Sequence, residues 1–212
     1  MTVALDIDAD AARRFIERAQ PEHPSLIDEA HLVDELFGVT NVPNGVWIDE
    51  EGMIVRPAEP AFPVRPNYLD SGAQANLPPR LAEMLEEAKK IRIEPEKYVS
   101  AVRDWVEHGG ASRYALASEE VVSRSGPRQI DEATAAAHFE LGQHLYRNGS
   151  VNGAVPHFRE AHRLQRDNWT YKRQAWSLAD PIQGPTELYD SDWLTDVRKI
   201  GAENYYPPLE MN

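Results

Sequence analysis

The sequence predicts an α/β segment followed by an all-helical region. Three observations carry this. Short β-type runs alternate with helix-type periodicity over about the first 57 residues. Six prolines then interrupt residues 57–79. Beyond them, apolar residues recur almost wholly at helical spacing.

Taken in order, Val3-Ala4-Leu5 reads as a short strand. A helix follows over residues 9–19, with Ala12, Phe15, Ile16 and Ala19 on its apolar face, Asp8 or Asp10 as cap, and Pro21 as stop. Ser25-Leu26-Ile27 is a second strand. Asp28 is placed to cap a helix whose apolar face is Leu32, Val33, Leu36 and Phe37, and Gly38 sits at its C-terminal cap. Residues 45–49 and 53–56 form a hairpin around Asp49-Glu50-Glu51-Gly52, where glycine supplies positive φ. The connector, residues 58–79, is expected to be extended, because Pro57, Pro60, Pro63, Pro66, Pro78 and Pro79 exclude regular helix and central strand. Its Phe62, Tyr68 and Leu69 suggest that it lies on a surface.

The helical region covers residues 80–180. Leu81, Met84, Leu85, Ala88 and Ile91 line one helix. Pro95 opens the next, with Tyr98, Val99, Val102, Trp105 and Val106 inward and Gly109-Gly110 at its end. A shorter helix is expected around residues 114–122, before the break at Ser125-Gly126-Pro127. Ala137, Leu141 and Leu145, then Ala154, Phe158, Ala161 and Leu164, predict a helical hairpin turning at Asn148-Gly149. Gly142 and Ala154 allow its helices a close approach. The aromatic-rich tail, residues 181–212, must pack across something: the chain's own helices or a second chain.

The 212 residues carry a net charge of -13. That disfavours binding to nucleic acid or to anionic membrane surfaces. No apolar run approaches the roughly 18 residues of a membrane span, and the acidic N-terminus does not read as a secretory signal. The chain therefore reads as cytoplasmic. It has no cysteine, which removes thiolate catalysis, disulfides, cysteine-based zinc sites and iron–sulfur clusters.

No nucleophile elbow, phosphate-binding glycine loop or HExxH motif occurs, so no catalytic residue, metal ligand or cofactor is assigned. Among the seven histidines, His157 and His162 are five apart and do not share a helix face well. Glu140 and His144, four apart, read as a surface pair. Asp6, Asp8 and Asp10 read as helix-capping residues. Ser71-Gly72 reads as a turn.

Leu26-Ile27-Asp28, Phe37-Gly38-Val39, Val42-Pro43, Trp47-Ile48-Asp49, Gly52 and Ile54-Val55 stand in an order that resembles the thioredoxin-like thiol-reductase and alkyl-hydroperoxide-reductase proteins. The resemblance covers residues 1–57 and only the part of that domain after its active-site helix. It implies a cis bond at Pro43 and a binding loop of Asn41, Val42, Pro43, Asn44 and Trp47. It also implies a central strand and a CxxC helix that this stretch does not contain. The Val3 strand is then expected to close onto the Val46 strand, to pair with a second copy, or to receive a strand from an upstream segment. Residues 138–168 resemble a single tetratricopeptide-like repeat, with Arg166-Asp167-Asn168 in place of its usual proline exit.

The expectation is an incomplete thioredoxin-like sheet joined to an all-helical TPR-like region, in a non-redox scaffold or protein-binding homodimer. One alternative is the C-terminal portion of an oxidoreductase whose CxxC lies upstream. Another is a hydrolase built on Asp28, His31, His138, His144 and His157.

Overall fold

The computed structural model describes residues 1–67 and 77–211. Tyr68, Leu69 and the Ser71-Gly72 turn lie outside the described residues. Strands and helices follow in mixed order, as α/β plus α requires.

Contacts divide the chain into two discontinuous units. The first is Met1–Thr40 with Pro127–Ala179, and the second Asn41–Gly126 with Asp180–Asn212. The division falls inside the expected 1–57 segment, because each half of that segment packs on helices far along the chain.

In the first unit, β1 (Thr2–Leu5) pairs in parallel with β2 (Ser25–Asp28), joined by α1 (Ala9–Ala19). Asp8 caps α1 through the Asp10 N–H, and Gln20 ends it in the left-handed region. Burial raises the pKa of Asp6, just ahead of that cap. The expected apolar face of α1 buries no residue, and Phe15 stays 52% exposed.

Helix α2 (Leu32–Phe37) reverses expectation more sharply. Leu32 and Leu36 face solvent, while Asp34 is buried and His31, at its N-cap, is buried too. Asp28 still serves the first turn, accepting from Ala30 N and Val33 N at 3.2 and 2.7 Å.

Helices α6 (Ile130–Arg147) and α7 (Val151–Leu164) form the expected hairpin, and α8 (Trp169–Ala179) follows. The buried face of α6 is Ala135, Ala136, Phe139, Gly142 and Gln143; Leu145 is half-buried beside Gly153 of α7, but Ala137 is exposed and Leu141 is 42% exposed. Gly142 decides this face, since a Cβ there would come within 2.8 Å of the Phe158 ring. On α7, Ala154, Phe158 and Ala161 are buried as expected.

In the second unit, β3 (Asn44–Ile48) and β4 (Ile54–Pro60) form the antiparallel hairpin. Asp49 Oδ1 accepts from the Glu51 and Met53 N–H groups in its turn, and Gly52 takes a φ of 80°. The strand runs past Arg56 into the expected connector. Pro57 and Pro60 are tolerated because β4 is an edge strand.

Around the hairpin lie α3 (Pro79–Ala88), α4 (Pro95–His108), α5 (Ser118–Ser125) and α9 (Trp193–Ile200). Pro95 is in the first turn of α4 and Gly109 is its cap, as expected. Val106, expected inward, is 76% exposed. The short helix begins at Ser118 rather than near Tyr114, since Tyr114 enters the core and Leu116 N donates to Val55 O at 2.9 Å. The core joins Trp47, Ala101, Tyr114, Leu209 and Met211. The tail thus packs into its own unit, and α9 lies within it.

The described strands do not form one sheet. Among the described residues β1 pairs only with β2, and β3 only with β4. The expected closure of the Val3 strand onto the Val46 strand is therefore corrected. Each short strand is joined only to its neighbour in sequence.

Candidate functional site

The loop before β3 starts from Asn41, which is 5% exposed. Its side chain accepts from Val42 N at 2.9 Å and donates to Tyr205 O at 3.1 Å. The Val42–Pro43 bond is cis. Tyr206 Oη donates to Val42 O at 2.6 Å, and Ala61 N donates to Pro43 O at 3.3 Å. Asn44 Oδ1 is buried without a hydrogen-bond partner. Next in β3, Gly45 is needed by close approach: a Cβ would meet Tyr98 Oη at 2.6 Å.

Trp47 is a packed aromatic. It is 3% exposed, stacks on Trp105 with centroids 4.9 Å apart, and lies 5.4 Å from the Arg56 guanidinium. Of the five expected site residues, Asn41, Val42, Pro43 and Asn44 follow one another in the loop and Trp47 is packed in the core, and the Val42 and Pro43 carbonyls are occupied by the chain's own residues 206 and 61.

Tyr206 also packs edge-on against Phe62 at 5.1 Å. A shallow cleft beside them is lined by Pro60, Phe62, Arg92, Glu94, Tyr206 and Leu209, with room for little more than a water molecule. Glu94 is already engaged by Lys97 at 3.6 Å and by Leu209 N at 3.4 Å. The cleft seats the C-terminal segment and brings no nucleophile together with a base. Tyr206→Phe is expected to cost about 1 kcal/mol, the net worth of one hydrogen bond, in urea unfolding.

The first unit holds a second polar cluster. His31, 3% exposed, meets Gln143 Nε2 through Nδ1 at 2.9 Å and the Phe139 ring edge-on at 5.2 Å. Burial lowers its pKa to about 4, so the imidazole is neutral near pH 7. The phenol of Tyr171 is pushed well above its ordinary range by burial, with Asp34 and Glu35 adding to it.

His138 and His157, 19 residues apart, meet across the helical hairpin with Nδ1 atoms 2.9 Å apart. Their hairpin register, rather than any motif, brings them together. Asn148 Nδ2 donates to His144 O at 2.8 Å and lies 3.4 Å from its Nε2, and Asp28 accepts from the start of α2. Of the five residues of the hydrolase alternative, His138 and His157 are hydrogen-bonded to each other, while His31, His144 and Asp28 bond to other residues. Among the described residues no group of three or more histidines and carboxylates is placed to hold a metal ion. Among the described residues no helix is long and apolar enough to cross a membrane.

No protein-family model, curated protein or solved structure matches the chain.

Proposed function

We propose that this chain is a non-redox, thioredoxin-like and TPR-like interaction protein that works as a homodimer. One observation carries the reading: the β1–β2 layer is unfinished. It is a two-stranded parallel sheet in which no strand residue is fully buried. Parallel sheets are ordinarily covered on both faces. Helix α1 buries no residue either. Phe15, Leu26, Leu32 and Leu36 in these elements are 52%, 50%, 53% and 77% exposed.

A second copy fits this layer. Two β1 edges paired about a two-fold axis give a four-stranded sheet, and the same surface serves both partners. The occupied carbonyls of the cis-proline loop favour a scaffold over a thiol or substrate site there.

Sedimentation velocity tests the reading. The expected mass is twice 23.9 kDa. Association strengthens with added salt, because each copy carries a charge of -13. A Phe15→Glu/Leu36→Glu variant with wild-type circular dichroism is expected to sediment as a monomer. A wild-type chain that stays monomeric at high concentration overturns the proposal.

A further inference from the structure

Helix α2 turns Asp34 inward, 2% exposed. Its Oδ1 accepts from Glu35 N at 2.9 Å, and its Oδ2 lies 2.8 Å from Thr170 Oγ1. The same Thr170 oxygen lies 2.5 Å from Asn168 Oδ1. Two other bonds fix which way the Asn168 amide points. Its Oδ1 accepts from Tyr171 N at 3.1 Å, and its Nδ2 donates to Gln165 Oε1 at 3.1 Å.

A threonine hydroxyl has one proton to give. Two acceptors, Asp34 Oδ2 and Asn168 Oδ1, face it. With Asp34 ionised, three oxygens would share that one proton, and one short contact would be a repulsion between acceptors. With Asp34 neutral, every contact is a hydrogen bond. Asp34 Oδ2–H donates to Thr170, and Thr170 donates to Asn168. Asn168 also takes the Tyr171 N–H.

The nearby start of α8 offers no substitute donor. Trp169 N and Thr170 N both donate to Thr40 O, at 2.6 and 3.2 Å. Tyr171 N goes to the Asn168 side chain and Lys172 N to Asn168 O. Asn168 N donates to Gln165 O at 3.1 Å, so the donors at the start of the helix are spent, the Lys172 N–H making the first bond within it.

The surrounding charges also oppose ionisation. Asp28 from β2 and Glu35 from α2 both disfavour a second negative charge, and the Tyr171 phenol on α8, itself held neutral, brings no positive charge. Arg128 is engaged with Glu35 at 2.8 Å, and His31 is neutral near pH 7. Burial is the largest effect and raises Asp34 to about 7, outweighing the bonds from Thr170 and Glu35 N.

We propose that the proton on Asp34 is a latch that ties α2 to the start of α8, and that its loss on the alkaline side opens the tie. The proton leaves to solvent. Thr170 then turns its single proton to the Asp34 carboxylate. Asn168 Oδ1, left facing an oxygen without a proton, moves away and loosens the cap it makes on Tyr171 N.

The direction of the pH effect follows from the raised pKa. Between about 4, where an unfolded aspartate titrates, and about 7, the native state holds more protons than the unfolded one. The stability due to this group is complete below that window and falls as pH rises through it.

The test is a carbon-13 NMR titration of the Asp34 carboxyl in the full chain, with the Tyr171 amide followed alongside. The expected midpoint is near pH 7, and the Tyr171 amide shifts with it. Asp34→Asn keeps the donor toward Thr170, so it is expected to keep the fold and remove the pH-dependent shift of Tyr171 between pH 5 and 8. A native Asp34 titrating near pH 4 overturns the proposal. So does a Tyr171 shift that persists in Asp34→Asn.

Discussion

Arg56→Ala is expected to destabilise the second unit by about 3–5 kcal/mol, the cost of breaking a buried ion pair by removing one partner. Arg56 is 1% exposed although it lies on an edge strand. Its Nε and Nη2 donate to the two Glu59 carboxylate oxygens at 2.9 and 3.1 Å. Nη1 donates to Tyr114 O at 2.8 Å, and Nη2 also donates to Glu210 O at 2.6 Å. One guanidinium thus joins β4, the segment before α5 and the C-terminal segment, while covering the Trp47 ring. Alanine would strand two carbonyls and a carboxylate whose pKa burial already raises. Lysine is not expected to rescue the site, because an ammonium cannot reproduce the planar fork. Urea unfolding followed by tryptophan fluorescence measures the loss. A change below about 1 kcal/mol, as for an exposed pair, would contradict this account.

Phe139→Ala is expected to cost the first unit a similar amount, about 3–5 kcal/mol, from lost burial and the cavity left behind. Phe139 is 2% exposed. It stacks on Tyr171 at 4.1 Å, contacts Phe158 at 5.6 Å, and supports His31 edge-on. Collapse around the gap is limited because Gly142 already lets the Phe158 ring lie against the α6 backbone. Phe139→Leu should lose much less, since part of the volume stays filled. Equal losses in the two variants would point to the aromatic stack rather than the cavity as the source.

Local chemistry was legible in the residues. The Asp49–Gly52 turn, the Asp8 cap and Pro95 opening α4 follow from a few neighbouring positions, whereas the cis bond before Pro43 is what the resemblance implied. What was not legible depended on partners far along the chain. Asp34 is inward on α2 because Thr170, 136 residues away, meets it there. Apolar counting had placed Leu32 and Leu36 inward instead. The loop at Pro43 was found from sequence, but its occupant was not: Tyr206 is 164 residues from Val42. Strand order failed for the same reason. Short strands of four or five residues do not specify whether β1 pairs with β3 or stands apart from it.

The edge of β1 that has no strand partner among the described residues tests the central claim most directly. Mixing isotope-labelled and unlabelled chains, and recording isotope-filtered nuclear Overhauser contacts, reads contacts between copies alone. The account predicts contacts from β1 of one copy to β1 of another, growing with protein concentration. A concentrated sample with no contacts between copies at residues 2–5, and with the mass of a single chain, would contradict it.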